Sequence, residues 1–169
     1  KANFVDGMVV TYTTAGGDGS LTDSVTLKEL DEGSGTVSAL LSNESHILPA
    51  SSDGVVSSYS NSGTDIDVYE GATQLDYDGT GTSNGHWKIG TPIVSPVGKI
   101  TVGSISDSTN TAVVANHSSM NNSSDSVTIT YPISGKTLNG TAFSFNKTQT
   151  IAKSKAGTDG TNGSNGVNG

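Results

Sequence analysis

The stretch TDIDVYEGATQLDYDG, at positions 64–79, is the sharpest local pattern in the chain. Apolar and acidic residues alternate on both sides of Gly71-Ala72, which predicts two antiparallel strands joined by a two-residue hairpin turn. In that register the inner face holds two apolar cross-strand pairs, Val68 with Leu75 and Ile66 with Tyr77. Because one register accounts for both pairs, the pattern favours a hairpin with one face in a core.

The same register places four aspartates on the outer face in two like-charged pairs, Asp67 opposite Asp76 and Asp65 opposite Asp78. Like charges directly opposite each other destabilise a strand pair. A bound Ca²⁺ would relieve the repulsion, because carboxylate oxygens are its ligands. The other interpretation is a solvated acidic face that protects a sheet edge. No EF-hand spacing accompanies the aspartates, so the acidic face is favoured over a weak calcium site.

Strand patterns continue on both sides of this hairpin, in a module that we place at residues 36–153. Short β-branched and aromatic runs between turn clusters predict strands at 36–42, 54–60, 64–70, 73–78, 86–90, 99–105, 110–115, 125–133 and 141–151. Strands at this spacing, without long helical patterns between them, predict an antiparallel β-sandwich. Trp87 is expected in the core between the sheets, where its indole N–H needs a hydrogen-bond partner.

Two further segments flank the module. Residues 1–33 contain two alternating runs around AGGDGS, which predicts a β-hairpin that closes a preceding β-module, with residues 34–35 as a linker. In residues 154–169 glycine occupies every third position, at Gly157, Gly160, Gly163, Gly166 and Gly169. Only glycine fits at the crowded axis of a collagen triple helix, so this period predicts a collagen-like segment. Because the segment lacks proline, we expect it to form only where chains already associate upstream.

Composition and charge exclude several classes of function. The chain has 16 acidic and 8 basic residues and a net charge of -8, which argues against binding to nucleic acid or to anionic membranes. It has no cysteine, so it forms neither disulfides nor thiolate metal sites. No apolar run approaches the length of a membrane span.

Catalytic motifs are also missing from the sequence. There is no GxSxG element, and the glycine-rich run at 79–85 lacks the GK[ST] ending of a phosphate loop. His46, His86 and His117 lie in separate segments without metal-ligand spacing. The remaining hypothesis for a metal site is that one histidine from each chain of a trimer lies on the trimer axis, where the three imidazoles together bind the ion. We therefore expect a protein that is not an enzyme and has no resident cofactor.

Three motifs resemble a known family: LSNESHILP at 41–49, GTDIDVYEG at 63–71 and FNKTQTIAKSKAG at 145–157. Together they are similar to a module of tailed-bacteriophage tail fibre and tail-tip proteins, in which a closing strand runs into Gly-x-y repeats. The resemblance covers residues 36–169, and the preceding DSVTLKELDEGSG is similar to the closing strand and linker of an upstream module. The family has no catalytic residue to carry over.

The resemblance implies an immunoglobulin-like β-sandwich in a long virion fibre, usually a homotrimer. Its role would be structural: spacing, stiffness and presentation of a distal receptor-binding tip during host attachment. The implied partners are further copies of the chain, other virion tail proteins and a host-surface glycan or protein, and the implied location is the extracellular virion tail. Two alternatives remain open. In the first, the loops at 79–85 and 116–125 themselves bind a glycan or a protein. In the second, the chain belongs to a bacterial surface adhesin or filament.

Overall fold

A computed structural model of the chain describes residues 8–16, 19–27, 35–158 and 160. These residues form thirteen strands and no helix, so the predicted all-β class is confirmed. None of the described segments is a helix long and apolar enough to cross a membrane. The chain divides into two compact units, Lys1–Gly35 and Thr36–Gly169.

The first unit contains the hairpin predicted near the start of the chain. Strand β1 (Met8–Gly16) pairs antiparallel with β2 (Gly19–Leu27), in a register that runs from Met8 opposite Leu27 to Gly16 opposite Gly19. Glycines at the ends of both strands suit a tight connection. Residue 34 of the predicted linker lies outside the described residues.

The second unit consists of two sheets. Its strands are β3 (Val37–Leu41), β4 (Ser45–Ala50), β5 (Thr64–Glu70), β6 (Thr73–Gln74), β7 (Asp76–Tyr77), β8 (His86–Ile89), β9 (Ile93–Ser95), β10 (Ile105–Ser108), β11 (Thr111–Val114), β12 (Ser126–Lys136) and β13 (Ala142–Lys155). The first sheet has the order β10-β11-β5-β3, with β6 beside β5, and is antiparallel. The second has the order β4-β13-β12-β8-β7, with β9 beside β12. In it, β4 runs parallel to β13, and β7 parallel to β8.

The inner faces of the two sheets share one hydrophobic core. Every second residue of β12 from Val127 to Ile133 is buried, as expected for a strand with one face in a core. Trp87 is fully buried, and its Nε1 donates a hydrogen bond to the Leu75 carbonyl at 3.1 Å. The predictions that Trp87 lies in the core and that its indole finds a partner are therefore confirmed.

Pro132 lies inside β12, although proline is usually confined to edge strands or bulges of a sheet. Along one edge of β12, β9 pairs with residues Thr128 to Thr130, and β8 takes over at Ile133. Pro132 falls between these two partners, and its carbonyl accepts a hydrogen bond from Gly90 N–H on this edge. The proline therefore removes only the reciprocal hydrogen bond to Gly90, at the point where this edge of β12 changes partner.

The acidic hairpin is present only next to its turn. As predicted, the chain turns at Gly71-Ala72, and Leu75 N–H donates to the Val68 carbonyl at 2.8 Å in the expected register. Beyond Leu75 the predicted pairing is wrong. The chain leaves β5 and enters the second sheet as β7, beside β8.

Two physical reasons account for this departure. The edge of β5 that the longer hairpin needed is already occupied by β11, which pairs with residues Thr64 to Ile66. In the second sheet, Tyr77 becomes buried, and its ring centroid lies 4.8 Å from that of Trp87. Burying a large aromatic side chain against another outweighs a few further cross-strand pairs with opposed carboxylates.

Candidate functional site

The structure divides the four aspartates of the predicted calcium site between two sheets. Asp65 and Asp67 lie on β5, whereas Asp76 and Asp78 lie on or next to β7. The predicted opposition of Asp67 to Asp76 and of Asp65 to Asp78 is therefore not found. Within the described residues, no group of three or more histidine, cysteine or acidic side chains is arranged to hold a metal ion.

Each pair of aspartates instead has local partners. Asp67 Oδ1 accepts hydrogen bonds from the Thr111 hydroxyl at 2.6 Å and from the Gln74 amide at 2.9 Å. His86 Nδ1 lies 3.3 Å from Asp78 Oδ2 and 3.6 Å from Asp76 Oδ2. The imidazole thus lies near both carboxylates of the second sheet, but within the described residues its buried Nδ1 forms no hydrogen bond.

Asp78 also organises the first part of the glycine-rich loop at 79–85. Its carboxylate accepts hydrogen bonds from Thr80 N–H at 2.8 Å, from Gly81 N–H at 2.7 Å and from the Thr80 hydroxyl at 2.8 Å. Partial burial raises the pKa of Asp78, but these hydrogen bonds, with a smaller contribution from His86, outweigh it, and the pKa is lowered. This aspartate has the role of a turn cap for a loop that we had predicted as a binding loop.

We expect Ca²⁺ to leave the melting temperature of the full chain unchanged. The four carboxylates do not converge, and a ligand raises the melting temperature only when it binds the native state more tightly than the unfolded one. Thermal unfolding followed by circular dichroism with millimolar Ca²⁺, and with Mg²⁺ as control, measures this. A rise specific to Ca²⁺ that disappears in Asp78→Asn would contradict it.

His117 belongs to a buried hydrogen-bond network. Gly103 N–H donates to His117 Nδ1 at 3.1 Å, so Nε2 carries the proton and donates to Gln149 Oε1 at 2.9 Å. The Tyr131 hydroxyl donates to the same oxygen at 2.9 Å, and Gln149 Nε2 donates to the Ser62 carbonyl at 3.0 Å. The network ties the loops that carry Ser62, Gly103 and His117 to the central strands β12 and β13, which is a structural role.

We expect His117 to titrate at a lower pH than an ordinary histidine. Burial lowers its pKa from 6.5, and the hydrogen bond to Gln149 offsets only part of the effect. Because the folded-state pKa lies below the unfolded one, the unfolded chain binds more protons as the pH falls below about 6.5. This residue therefore destabilises the fold progressively from that pH down to its own pKa.

The measurement is an NMR titration of the three imidazoles in the folded chain. The ring signals of His117 are expected to shift at lower pH than those of a free histidine. A midpoint at or above 6.5 would contradict the neutral, buried state of the ring. In a variant with Gln149→Leu, the loss of the hydrogen bond is expected to lower the midpoint further.

The chain leaves the second unit at the end of β13. We call Lys155 and Ala156, which still form backbone contacts with β4, the tail root. Strand β13 continues through Lys155, which pairs with Ala50 at the end of β4, and Ala156 N–H donates to the Ala50 carbonyl at 2.8 Å. Gly157 and Gly160 follow and are exposed. The other predicted glycines of the repeat, Gly163, Gly166 and Gly169, lie outside the described residues.

Within the described residues, no steric contact requires glycine at the first two positions of the repeat. Elsewhere in the unit, an added Cβ would collide with a backbone oxygen at four glycines: Gly54, Gly63, Gly103 and Gly135. At Gly157 and Gly160 an added Cβ would meet no atom within 4 Å, and neither residue has a positive φ. Within the described residues, both positions would therefore accept a larger residue.

An open apolar groove of about 590 Å³ lies beside the tail root. Pro49 and Ala50 from the end of β4, together with Val55 and Ala156, line it. The Val55 side chain is 50% exposed in a loop that the sequence predicted as a strand, and this segment contributes only a single bridge, between Val56 and Ala50. The groove is therefore an apolar surface directly next to the start of the glycine repeat.

A second cleft, of about 710 Å³, is more polar than this groove and lies near the ends of β3, β5 and β11; we call it the polar cleft. Asn43, Asn61, Asp65 and Asn116 line it together with His46. The Asn43 amide donates hydrogen bonds to the carbonyls of Asn61 and of Gly63, each at 2.9 Å, which fixes one wall. Only Asn116 belongs to a loop that we had predicted to bind a ligand. The other lining residues went unnoticed because no sequence pattern connects them.

The tail root and the polar cleft are thus the two surfaces in the described part of the chain that invite a functional interpretation. The first presents apolar side chains beside Gly157 and Gly160, where no described residue would contact an added Cβ. The second presents amides, an imidazole and a carboxylate. Comparisons of the chain with models of known protein families, with curated proteins and with solved structures find no match.

Proposed function

We propose that this chain is a structural segment of a tailed-bacteriophage tail fibre or tail-tip protein. In this role it assembles as a homotrimer in the extracellular virion tail, and it spaces and presents a distal receptor-binding tip for host attachment. The carrying observation is the glycine period that begins just after β13, at whose first two described glycines, Gly157 and Gly160, no described atom would contact an added Cβ. Three chains packed around a common axis require glycine at every third position, because the axis admits no side chain.

The strand order supports an immunoglobulin-like β-sandwich as the rigid unit of such a fibre. The first sheet, β3, β5, β11 and β10, has the arrangement of strands A, B, E and D of that fold, and β8, β12 and β13 have the arrangement of C, F and G. Trp87 on β8 takes the place of the buried tryptophan on strand C. The usual disulfide has no counterpart, because the chain lacks cysteine.

The mass in solution tests the trimeric part of this proposal. The chain ending at Gly169 is expected to sediment with the mass of three chains at high protein concentration. The same chain ending at Ala156, which keeps all of β13 but lacks the glycine repeat, is expected to associate more weakly, because the repeat adds contacts at high effective concentration. A single-chain mass for both chains would overturn the homotrimer.

Electron microscopy tests the location. Antibodies raised against the chain are expected to label the tails of intact virions prepared from its source. Labelling confined to bacterial surface filaments would overturn the virion assignment and favour the surface adhesin or filament.

A second candidate function, recognition of a host-surface glycan or protein, is favoured by the polar cleft. Amide, imidazole and carboxylate groups can exchange hydrogen bonds with sugar hydroxyls, and the fixed position of Asn43 keeps one wall in place. Binding of the full chain to a glycan array, lost in Asn116→Ala and retained when Thr82 in loop 79–85 is changed to alanine, would support it. No binding to glycans or host envelope proteins would exclude it.

A further inference from the structure

We propose that an apolar strip beside the tail root, consisting of Ile47, Pro49, Val55 and Ala156, is the surface through which copies of this chain associate. The proposal rests on the proposed function, since it takes the glycine repeat as a three-chain segment. Beyond the proposed function, it identifies the face of the domain that contacts a second copy. The occupant is thus another copy of the same chain, approaching from the side on which the tail leaves.

Two residues of the strip, Ile47 and Pro49, lie on the outer face of β4. Leu48 and Ala50 are buried, so the alternate residues Ile47 and Pro49 point away from the core, and Ile47 is 63% exposed. Their partners on β13 in the parallel pair are Ala152 and Ser154, which carry no charge. Contiguous apolar surface of this kind is a mark of an interaction site rather than of a solvated face.

The two lysines next to the strip have partners in their own domain. Lys155 lies at the border of the strip, and its ammonium group forms an ion pair with the Asp125 carboxylate. The neighbouring Lys153 donates hydrogen bonds to the carbonyls of Gly54 and of Asn121, each at 2.7 Å. Both lysines at the end of β13 are therefore held by their own domain, and a second copy can cover the strip without burying a lone charge.

The tail root indicates which molecule covers the strip. In a triple helix the three chains lie in contact from the first triplet onward, because each glycine packs at the common axis. Ala156 immediately precedes Gly157, and it lines the same groove as Pro49 and Val55. If three chains meet at Gly157, the surfaces that adjoin Ala156 are the first surfaces of the domains to be brought together. The apolar strip is that surface.

Other exposed apolar side chains do not share this position and supply a matched control. Val97 is 87% exposed, and it lies in the segment after β9, outside the groove at the tail root. The same substitution at Val55 and at Val97 introduces the same charge on an exposed valine. Only the first is expected to interfere with association.

The test measures the mass of the full chain by sedimentation for the unaltered protein, Val55→Asp, Ile47→Asp and Val97→Asp. The unaltered chain and Val97→Asp are expected to form three-chain species. For Val55→Asp and Ile47→Asp, the concentration needed for assembly is expected to rise at least about tenfold, because a valine or isoleucine contact is replaced by a desolvated carboxylate. Circular dichroism spectra that match the unaltered chain would show that each variant is folded.

A spin label supplies a second measurement that does not depend on disrupting the interface. The chain has no cysteine, so a label attached to Val55→Cys or to Val97→Cys is site-specific. Dipolar broadening between copies is expected for the label at Val55 and not for the label at Val97.

Each outcome decides the proposal. Three-chain assembly that Val55→Asp and Ile47→Asp leave unchanged would overturn the apolar strip as the interface while the proposed trimer stands. A single-chain mass for the unaltered chain at high concentration would overturn both the interface and the trimer. Weakened assembly in both strip variants, with Val97→Asp unchanged, is the expected result.

Discussion

Replacing Trp87 with alanine is expected to lower the free energy of unfolding by about 3–5 kcal/mol. The side chain is fully buried, and it packs against Tyr77 while its Nε1 donates to the Leu75 carbonyl. Alanine would leave a large cavity between the sheets and remove the only hydrogen bond that this carbonyl receives from a side chain in the described region. Since a domain has a total stability of roughly 5–15 kcal/mol, this loss would be a large fraction of the total.

Trp87→Phe separates the two contributions. Phenylalanine keeps most of the aromatic contact with Tyr77 but donates no hydrogen bond, so we expect a loss clearly smaller than that of alanine. Unfolding must be followed by circular dichroism, because Trp87 is the sole tryptophan. Equal losses for alanine and phenylalanine would mean that the hydrogen bond, and not the packing, dominates. A loss below about 1 kcal/mol for alanine would contradict the core position.

Replacing Gln149 with leucine is expected to destabilise the domain by about 2–5 kcal/mol. Gln149 is fully buried and connects His117, Tyr131 and the Ser62 carbonyl. Leucine has a similar volume but accepts and donates no hydrogen bond. It would leave two donors and one acceptor unsatisfied in the core, and each such group costs about 1–3 kcal/mol before relaxation.

The matched control is Gln74→Leu. Gln74 is half-buried, and its amide donates to Asp67 Oδ1 at 2.9 Å, where solvent can replace it. We expect a loss of less than about 1 kcal/mol there. Urea unfolding of both variants measures the difference. If Gln149→Leu were no more damaging than Gln74→Leu, the network would not stabilise the fold.

The local parts of the fold could be predicted because neighbouring residues determine them. The turn at Gly71-Ala72, the first pairs of its register and the burial of Trp87 follow from alternation and side-chain size. The path after Leu75 could not be predicted in this way. It depends on β11, some forty residues later in the sequence, occupying the edge of β5, and on a distant ring contact with Trp87.

The candidate site, too, could be predicted from the sequence only in part. The glycine period is visible in the sequence, since it is a repeat within one segment. The apolar strip beside the repeat is not visible in the sequence, because the sequence pattern does not predict strand β4. Pro49 and the surrounding serines obscure the strand pattern in the sequence of β4. Within the described residues its long-range partner is β13, a parallel strand more than a hundred residues later. Proline is tolerated there because β4 lies at the edge of its sheet.

The parallel pairing of β4 with β13 has a mechanical consequence. If the domain is pulled from both ends, the pull on β4 acts towards the start of the chain and the pull on β13 acts towards the tail. Because the strands run in the same direction, these forces slide one along the other, so the six residue pairs from Ser45–Thr150 to Ala50–Lys155 are loaded together in shear. An antiparallel pair pulled apart at its open end would instead break one hydrogen bond at a time. The pair at the start of the tail is thus a clamp that resists tension along the chain.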